Sequence, residues 1–382
     1  MKEEYEGTVF LISMVLMAVF GIYYSRRLKS ISFSKKYYQK VILYLSRYEY
    51  FRNLSEENKK RFSGIIKRFN KRLNYHGRDG VVITEEIRII IAAGYAKLSL
   101  GNDFGNFYKF RSIVVFPRAY RDEEKKSRYL GKTSLEGYIS LSWEDILKSE
   151  ADLHDGINLA LHEFSHAIVV EMMSDQINFE LEYSVVRHIY FTAKHEIEKF
   201  KKGEEMDMRK YAYSSPHEFF SIAVEWFFET PEKLIRSSWI TYRNLCVLFR
   251  QNPLRNEIGK INWDWILDYP HEERHLRSSI ETKTYGVFDF YPYFVSIGID
   301  PEKSLIKLFQ GKKIVRTSEI LHKSVLFVTK KYIPPSRYTS EEYQVIFFLF
   351  RNNDVDKIIF STWKEKPAEE VIGIYRKIGL AY

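Results

Sequence analysis

Residues 155–168 read DGINLALHEFSHAI, and how this stretch folds decides the rest of the reading. Its apolar positions (Leu159, Leu161, Phe164, Ala167, Ile168) recur at helical spacing after Asn158. A helix sets His162 and His166 one turn apart on one face, which suits two ligands of a tetrahedral zinc ion. Glu163, about a hundred degrees round the same helix, would flank a water at such a metal and act as general base.

A catalytic site needs a third ligand and an open position, and a second helix downstream should supply the ligand. Residues 215–229, SPHEFFSIAVEWFFE, place proline near a helix start and then run strongly apolar, as a buried helix does. Glu218 and Glu225 are seven residues apart, hence on roughly one face. Carboxylates among so many phenylalanines are costly unless they bind a cation, are hydrogen-bonded, or sit solvated at the helix ends. Glu218 is the better ligand, and Glu225 is placed to orient a ligand histidine. His154, His188, His195, His217 and His271 have no second partner at ligand spacing and read as surface or core histidines.

Upstream, residues 36–75 carry two basic amphipathic helices, with Asn53-Leu54-Ser55 supplying a cap before Glu56. A helix follows at 82–99, a strand at 112–117, and a second strand in the stretch GYISLSW that begins at Gly137. That strand ends about twenty residues before His162; it reads either as an internal strand or as one lying along the cleft and pairing with an extended substrate. Helices are expected over 156–172, 178–200, 216–229 and 231–250. Residues 275–285 are polar and unpatterned, a linker, and 284–382 read as successive strands with a turn at Asn352-Asn353-Asp354 and one C-terminal helix at 367–378. Such a module resembles a pleckstrin-homology-like domain.

Several of these stretches together resemble the MtfA-type (Mlc titration factor A) zinc-dependent peptidases, gluzincins with HEFAH and a downstream EFFAV…E…FFE helix. IVVFP, GYISLSWEDI, DGINLALHEFSHAI, YAYSSPHEFFSIAVEWFFETPEKL and FRQNP stand here in the family's order across roughly 80–254. The resemblance implies zinc held by His162, His166 and Glu218, and Glu163 as catalytic base. It also implies that Tyr211 assists the tetrahedral intermediate, a role that suits a phenolic donor and for which Tyr213 is a neighbouring competitor. The family's HEFAHxLD loses its aspartate here, where Ala167-Ile168-Val169 follows His166. The implied fold is α+β: a mainly helical gluzincin-type domain with a small sheet over 76–275.

The 382 residues are 45% hydrophobic and 29% charged, which excludes a disordered chain, a collagen-like repeat and a polytopic transporter. One cysteine, Cys246, excludes a disulfide framework and a CxxC zinc ribbon. The net charge of +9 suggests a nucleic-acid binder until it is located. Residues 25–75 hold 15 Lys/Arg against three acids, a net of +12, and the other residues sum to −3. Directly before them, residues 8–24 (TVFLISMVLMAVFGIYY) carry no charge. Seventeen helical residues reach about 26 Å, enough for a bilayer core, and Tyr5, Tyr23 and Tyr24 suit its interfaces. The acidic start (Glu3, Glu4, Glu6) and the absence of a small-residue cleavage site argue for an anchor over a signal peptide or a buried helix.

The positive-inside bias then leaves residues 1–7 outside and 25–382 in the cytoplasm, with 25–75 as basic juxtamembrane helices drawn to anionic lipid. The expected activity is a single-pass, membrane-anchored zinc metallopeptidase acting on a protein or peptide, with no nucleic acid as partner. The rival is a non-catalytic membrane-anchored scaffold for a regulatory protein or lipid, which needs neither His162, Glu163, His166, Glu218 nor Tyr211.

Overall fold

The computed structural model describes residues 35–122, 127–175, 179–262 and 265, and beyond them strands between 287 and 362 and a helix at 365–377. Two compact units divide the chain between Asp152 and Leu153. The first opens with the basic helices α1 (Lys35–Leu45), α2 (Glu49–Asn53) and α3 (Glu56–Arg72). Ser55 caps α3 by accepting the Asn58 N–H, which picks one residue from the Asn53-Leu54-Ser55 stretch expected to hold the cap. The apolar stripe of these helices (Val41, Leu45, Phe62, Ile65, Ile66, Phe69) is buried, each side chain contributing about 1.5–3 kcal/mol. The charge on the other faces is partly answered within the unit: Lys40 pairs with Glu85, Arg47 with Glu86, and Arg68 with Asp103.

Strand β1 (Asn74–Gly77) is followed by α4 (Glu85–Ser99), β2 (Ser112–Phe116), the small hairpin β3 (Tyr120–Asp122) and β4 (Ser127–Tyr129), then β5 (Gly131–Ser134), β6 (Tyr138–Ser142) and α5 (Trp143–Ala151). The main sheet runs in the order β1-β2-β6-β5. β6 pairs with β2 in parallel and with β5 antiparallel over the same residues. Its main-chain groups are therefore taken on both sides, so GYISLSW is the internal strand of the two readings and cannot also pair with a substrate. β5 forms the edge.

The second unit is built on α6 (Leu159–Ser174) and α7 (Glu180–Lys201), a 3-10 turn at Lys210–Ser214, α8 (Pro216–Glu229), α9 (Pro231–Ser237) and α10 (Trp239–Phe249). The helix expected over 231–250 is broken at Ser238, which leaves helical geometry to cap α10 by accepting the Thr241 N–H. Helix α8 is buried on nearly every face, and Phe227 packs on Tyr242 and Phe249. Cys246 lies fully buried beside Tyr242, where burial pushes its thiol well up in pKa; it is an inert core residue. A short ribbon, β7 (Gln251–Asn252) with β8 (Glu257–Ile258), closes the helical part.

Beyond it lie β9 (Val287–Phe290), β10 (Val295–Asp300), β11 (Leu305–Gln310) and β12 (Lys313–Arg316), a four-stranded antiparallel meander. A three-stranded meander follows, β13 (Val325–Ile333), β14 (Glu342–Arg351) and β15 (Asp354–Thr362), and then α11 (Glu365–Lys377). Arg351 pairs with Asp354, the register a two-residue hairpin requires. Val371, Ile372 and Tyr375 are buried, and Tyr375 meets Phe347 edge-on at 5.3 Å. The α+β class expected from sequence therefore holds. No described helix is long and apolar enough to cross a membrane. The anchor expected at 8–24, the start at 1–7, the 275–285 linker and His271 lie outside the described residues.

Candidate metal centre

Helix α6 starts where Asn158 accepts the Leu161 N–H, at 3.0 Å, and this phase turns His162 and His166 to a common side. Helix α8 starts at Ser215, which accepts the Glu218 N–H, with Pro216 in its first turn. The two starts bring His162, His166 and Glu218 together, with their ligand atoms all within 4.8 Å of one another. The two Nε2 atoms are 3.2 Å apart; Glu218 Oε2 is 3.0 Å from His162 Nε2, and its Oε1 is 3.6 Å from His166 Nε2. Donors about 2.0–2.1 Å from a tetrahedral ion lie about 3.3 Å from one another, so the three atoms are spaced to share one.

Two further observations fit a cation at that point. Glu218 Oε2 is buried and no hydrogen-bond donor is aligned on it, although His162 lies close. Burial alone would lower the basicity of His162, yet Glu218 and Glu225 outweigh it and push its pKa up to about 10. Burial likewise tends to raise the Glu218 carboxyl, while His162 and His166 hold it well below the usual range. Without a metal, a proton on His162 compensates the carboxylates, and nitrogen, nitrogen and carboxylate oxygen are the donor types zinc accepts.

Glu225 sits two turns along α8 from Glu218 and is saturated. Its Oε1 lies 2.8 Å from His162 Nδ1 and 2.5 Å from Arg209 Nη2, and its Oε2 accepts the Asn158 N–H at 2.6 Å. The contact falls on the His162 nitrogen turned away from the centre, where a partner can orient a ligand histidine. Arg209 also donates through Nη1 to the Gly156 carbonyl at 3.1 Å. Gly156 has φ of +78°, and a Cβ there would come within 2.9 Å of the Trp226 ring, so glycine is required twice over. Glu229, a further turn along α8, accepts from Asn158 Nδ2. Arg209, Asn158 and Glu229 escape a reading by motif spacing; the one hint is the third carboxylate of a helix already rich in them.

Glu163 is buried and close enough to bear electrostatically on His162 and Tyr211. Tyr211 is 56% exposed, and its ring is 6.4 Å from that of His162. Burial first, then the charge of Glu218, pushes its hydroxyl up to a pKa of about 12, so it stays a donor at neutral pH. Tyr213 points the other way: its ring stacks on Phe200 at 5.0 Å and its hydroxyl accepts the Met208 N–H. Of the two tyrosines, Tyr211 is the one at the centre. Among the other histidines, His188 is buried against Asn244, His217 meets the Tyr190 hydroxyl, and His154 and His195 are exposed.

Two histidines from one helix and a glutamate from the next, converging within ligand distance, are the donor set of a metallopeptidase centre. The chain belongs to the glucose-regulated metallo-peptidase M90 family, whose pattern matches residues 23–250. It is 24% identical to Mlc titration factor A of Yersinia enterocolitica over 225 residues, 53% of this chain and 81% of that protein. It is 25% identical to Mlc titration factor A of Pectobacterium atrosepticum over 221 residues, 53% and 82% of the two chains. An uncharacterized protein of Synechocystis is 22% identical over 230 residues, 55% and 82% of the two. The family resemblance read from motifs is thus upheld. The match begins at residue 23 and takes in the basic helices, whereas the matching motifs begin near residue 80; the β-rich part lies beyond it.

Proposed function

We propose that the protein is a zinc-dependent peptidase that hydrolyses peptide bonds with Glu163 as its general base. The observation that carries this is the convergence of His162, His166 and Glu218, with Glu163 buried beside them on the same helix. Zinc, when bound, supplies a Lewis acid for the scissile carbonyl and acidifies a water. Glu163 takes the proton of the attacking water and passes it to the leaving amine. Tyr211 donates its hydroxyl to the oxyanion that develops on the carbonyl. Glu225, braced by Arg209 and the Asn158 N–H, keeps the His162 lone pair aimed at the centre.

We place this activity at the cytoplasmic face of a membrane, on a protein or peptide substrate. The uncharged run 8–24, followed by Arg26, Arg27 and Lys29, supports that topology. The basic segment 25–75 would meet anionic lipid. Four strands, three strands and a closing helix support a pleckstrin-homology-like C-terminal module. Glu163→Gln should keep stoichiometric zinc and lose cleavage of test peptides by at least about a hundredfold. A variant that retains zinc and cleaves at the wild-type rate would overturn the mechanism. Comparing membrane-fraction proteins in cells carrying either form then identifies substrates as those that accumulate intact.

A further inference from the structure

The first turn of α8 carries another imidazole, His217, directly before the ligand Glu218. It stands outside the metal-donor cluster, which holds His162, His166 and Glu218. Yet His166 and Glu218 lie near enough for their charges to bear on it. His217 is exposed, and its Nδ1 lies 2.8 Å from the hydroxyl of Tyr190 on α7. The Tyr190 ring meets the His217 ring edge-on at 4.8 Å and backs onto Phe220 at 6.1 Å.

An exposed side chain is ordinarily free to change rotamer, and holding it still costs entropy. Here a phenol from a neighbouring helix does the holding. Burial pushes the Tyr190 hydroxyl well up in pKa, so it keeps its hydrogen at neutral pH. One nitrogen of His217 is thereby engaged, and Nε2 makes no hydrogen bond among the described residues. A neutral imidazole held by one nitrogen offers the other to a carbonyl or an N–H, the two polar groups of a peptide main chain. The two exposed side chains at the centre also have different neighbours. Tyr211 lies beside His162, with rings 6.4 Å apart, whereas His217 lies beside His166.

We infer that His217 is a substrate-binding residue, held by Tyr190, whose Nε2 hydrogen bonds a main-chain amide group of the bound peptide beyond the scissile bond, on the His166 side of the centre. Tyr190 touches no substrate and is a positioning residue, acting through His217. The inference rests on the peptidase reading above and gives that site one side of its peptide groove. The role differs in kind from that of Tyr211. Tyr211 meets an oxygen whose charge grows in the transition state, so its loss lowers kcat. A main-chain bond away from the reacting atoms is equally strong before and during reaction, so its loss raises KM.

The test uses zinc-loaded full-length protein and peptides cleaved at one bond, lengthened residue by residue on either side. Circular dichroism and zinc titration confirm that each variant folds and loads. His217→Ala should raise KM about threefold to tenfold, the size of one neutral hydrogen bond, with kcat little changed. The rise should vanish for peptides truncated on one particular side. Tyr190→Phe, which keeps the ring, should give a smaller rise with the same peptides, and the double variant should be no worse than His217→Ala. His217→Gln, which keeps a donor and an acceptor, should recover part of the loss. Wild-type KM in His217→Ala, a rise that ignores peptide length, a fall in kcat alone, or weakened zinc affinity would overturn the assignment while leaving the peptidase reading intact. Zinc-loaded wild-type protein that cleaves none of the peptides would overturn both.

Discussion

The two ends of α8 carry the same side chain for opposite purposes. At the first turn, Glu218 faces the centre with an oxygen on which no donor is aligned; two turns on, Glu225 is 1% exposed and satisfied by a histidine, an arginine and a backbone N–H. Spacing places both on one face, but what each meets decides its work. An acceptor left open is an invitation to a cation, and one filled from three sides is a strut. The difference is one of supply: α6 offers Glu218 only imidazole rings, whereas its N-terminus and the segment before Tyr211 offer Glu225 fixed donors.

The comparison can be broken by removing the strut. Glu225→Ala removes the partner of the part-exposed Arg209 guanidinium and strands the buried Asn158 N–H, and a loss of about 1–3 kcal/mol in denaturant unfolding of the metal-free protein is expected. A loss under 1 kcal/mol would mean that Glu225 is no strut. Glu218→Gln is expected to do the reverse. Zinc affinity should fall by more than about a hundredfold, because a ligand rather than its partner is altered, while metal-free stability falls less than in Glu225→Ala. If calorimetry finds zinc bound as tightly as in wild type, Glu218 is not the third ligand.

Smaller changes sharpen the picture. Arg209→Lys keeps the charge but loses the fork that spans Glu225 and the Gly156 carbonyl, so zinc affinity should drop about tenfold with little change in net charge. The pH response is finer still. The His162 pKa is raised from 6.5 to about 10 in the metal-free fold, so its proton stabilises that fold fully below 6.5, and this stabilisation is lost as pH rises through 10. Zinc must displace that proton, so affinity should weaken as pH falls below 10, by at most about one log unit per pH unit. Titrations at pH 8 in buffers of differing ionisation heat should show about one proton released; no release would contradict the coupling of His162 to both glutamates.

Much of the centre was legible because it obeys local rules. His162, Glu163 and His166 share one helix whose apolar period is written in consecutive residues; that Asn158 caps it rather than lying inside it came from the structure. Glu218 and Glu225 stood out as carboxylates in an apolar helix. The break at Ser238 was not legible, since apolar residues continue on both sides and a serine cap competes only weakly with helix continuation. Whether GYISLSW lies inside its sheet or at an edge depends on partners distant in sequence, so periodicity left the matter open and pairing settled it.

By itself, then, the sequence determined the helices, the metal-binding pair and the family, because helix periodicity and ligand spacing act over a few residues. Only the tertiary structure decided that Arg209 braces Glu225, that Tyr211 rather than Tyr213 faces the centre, and that Ser165 meets Ser221. Those contacts join residues 16 to 56 positions apart, or separate two tyrosines only two positions apart, and no local pattern encodes which faces meet once helices pack.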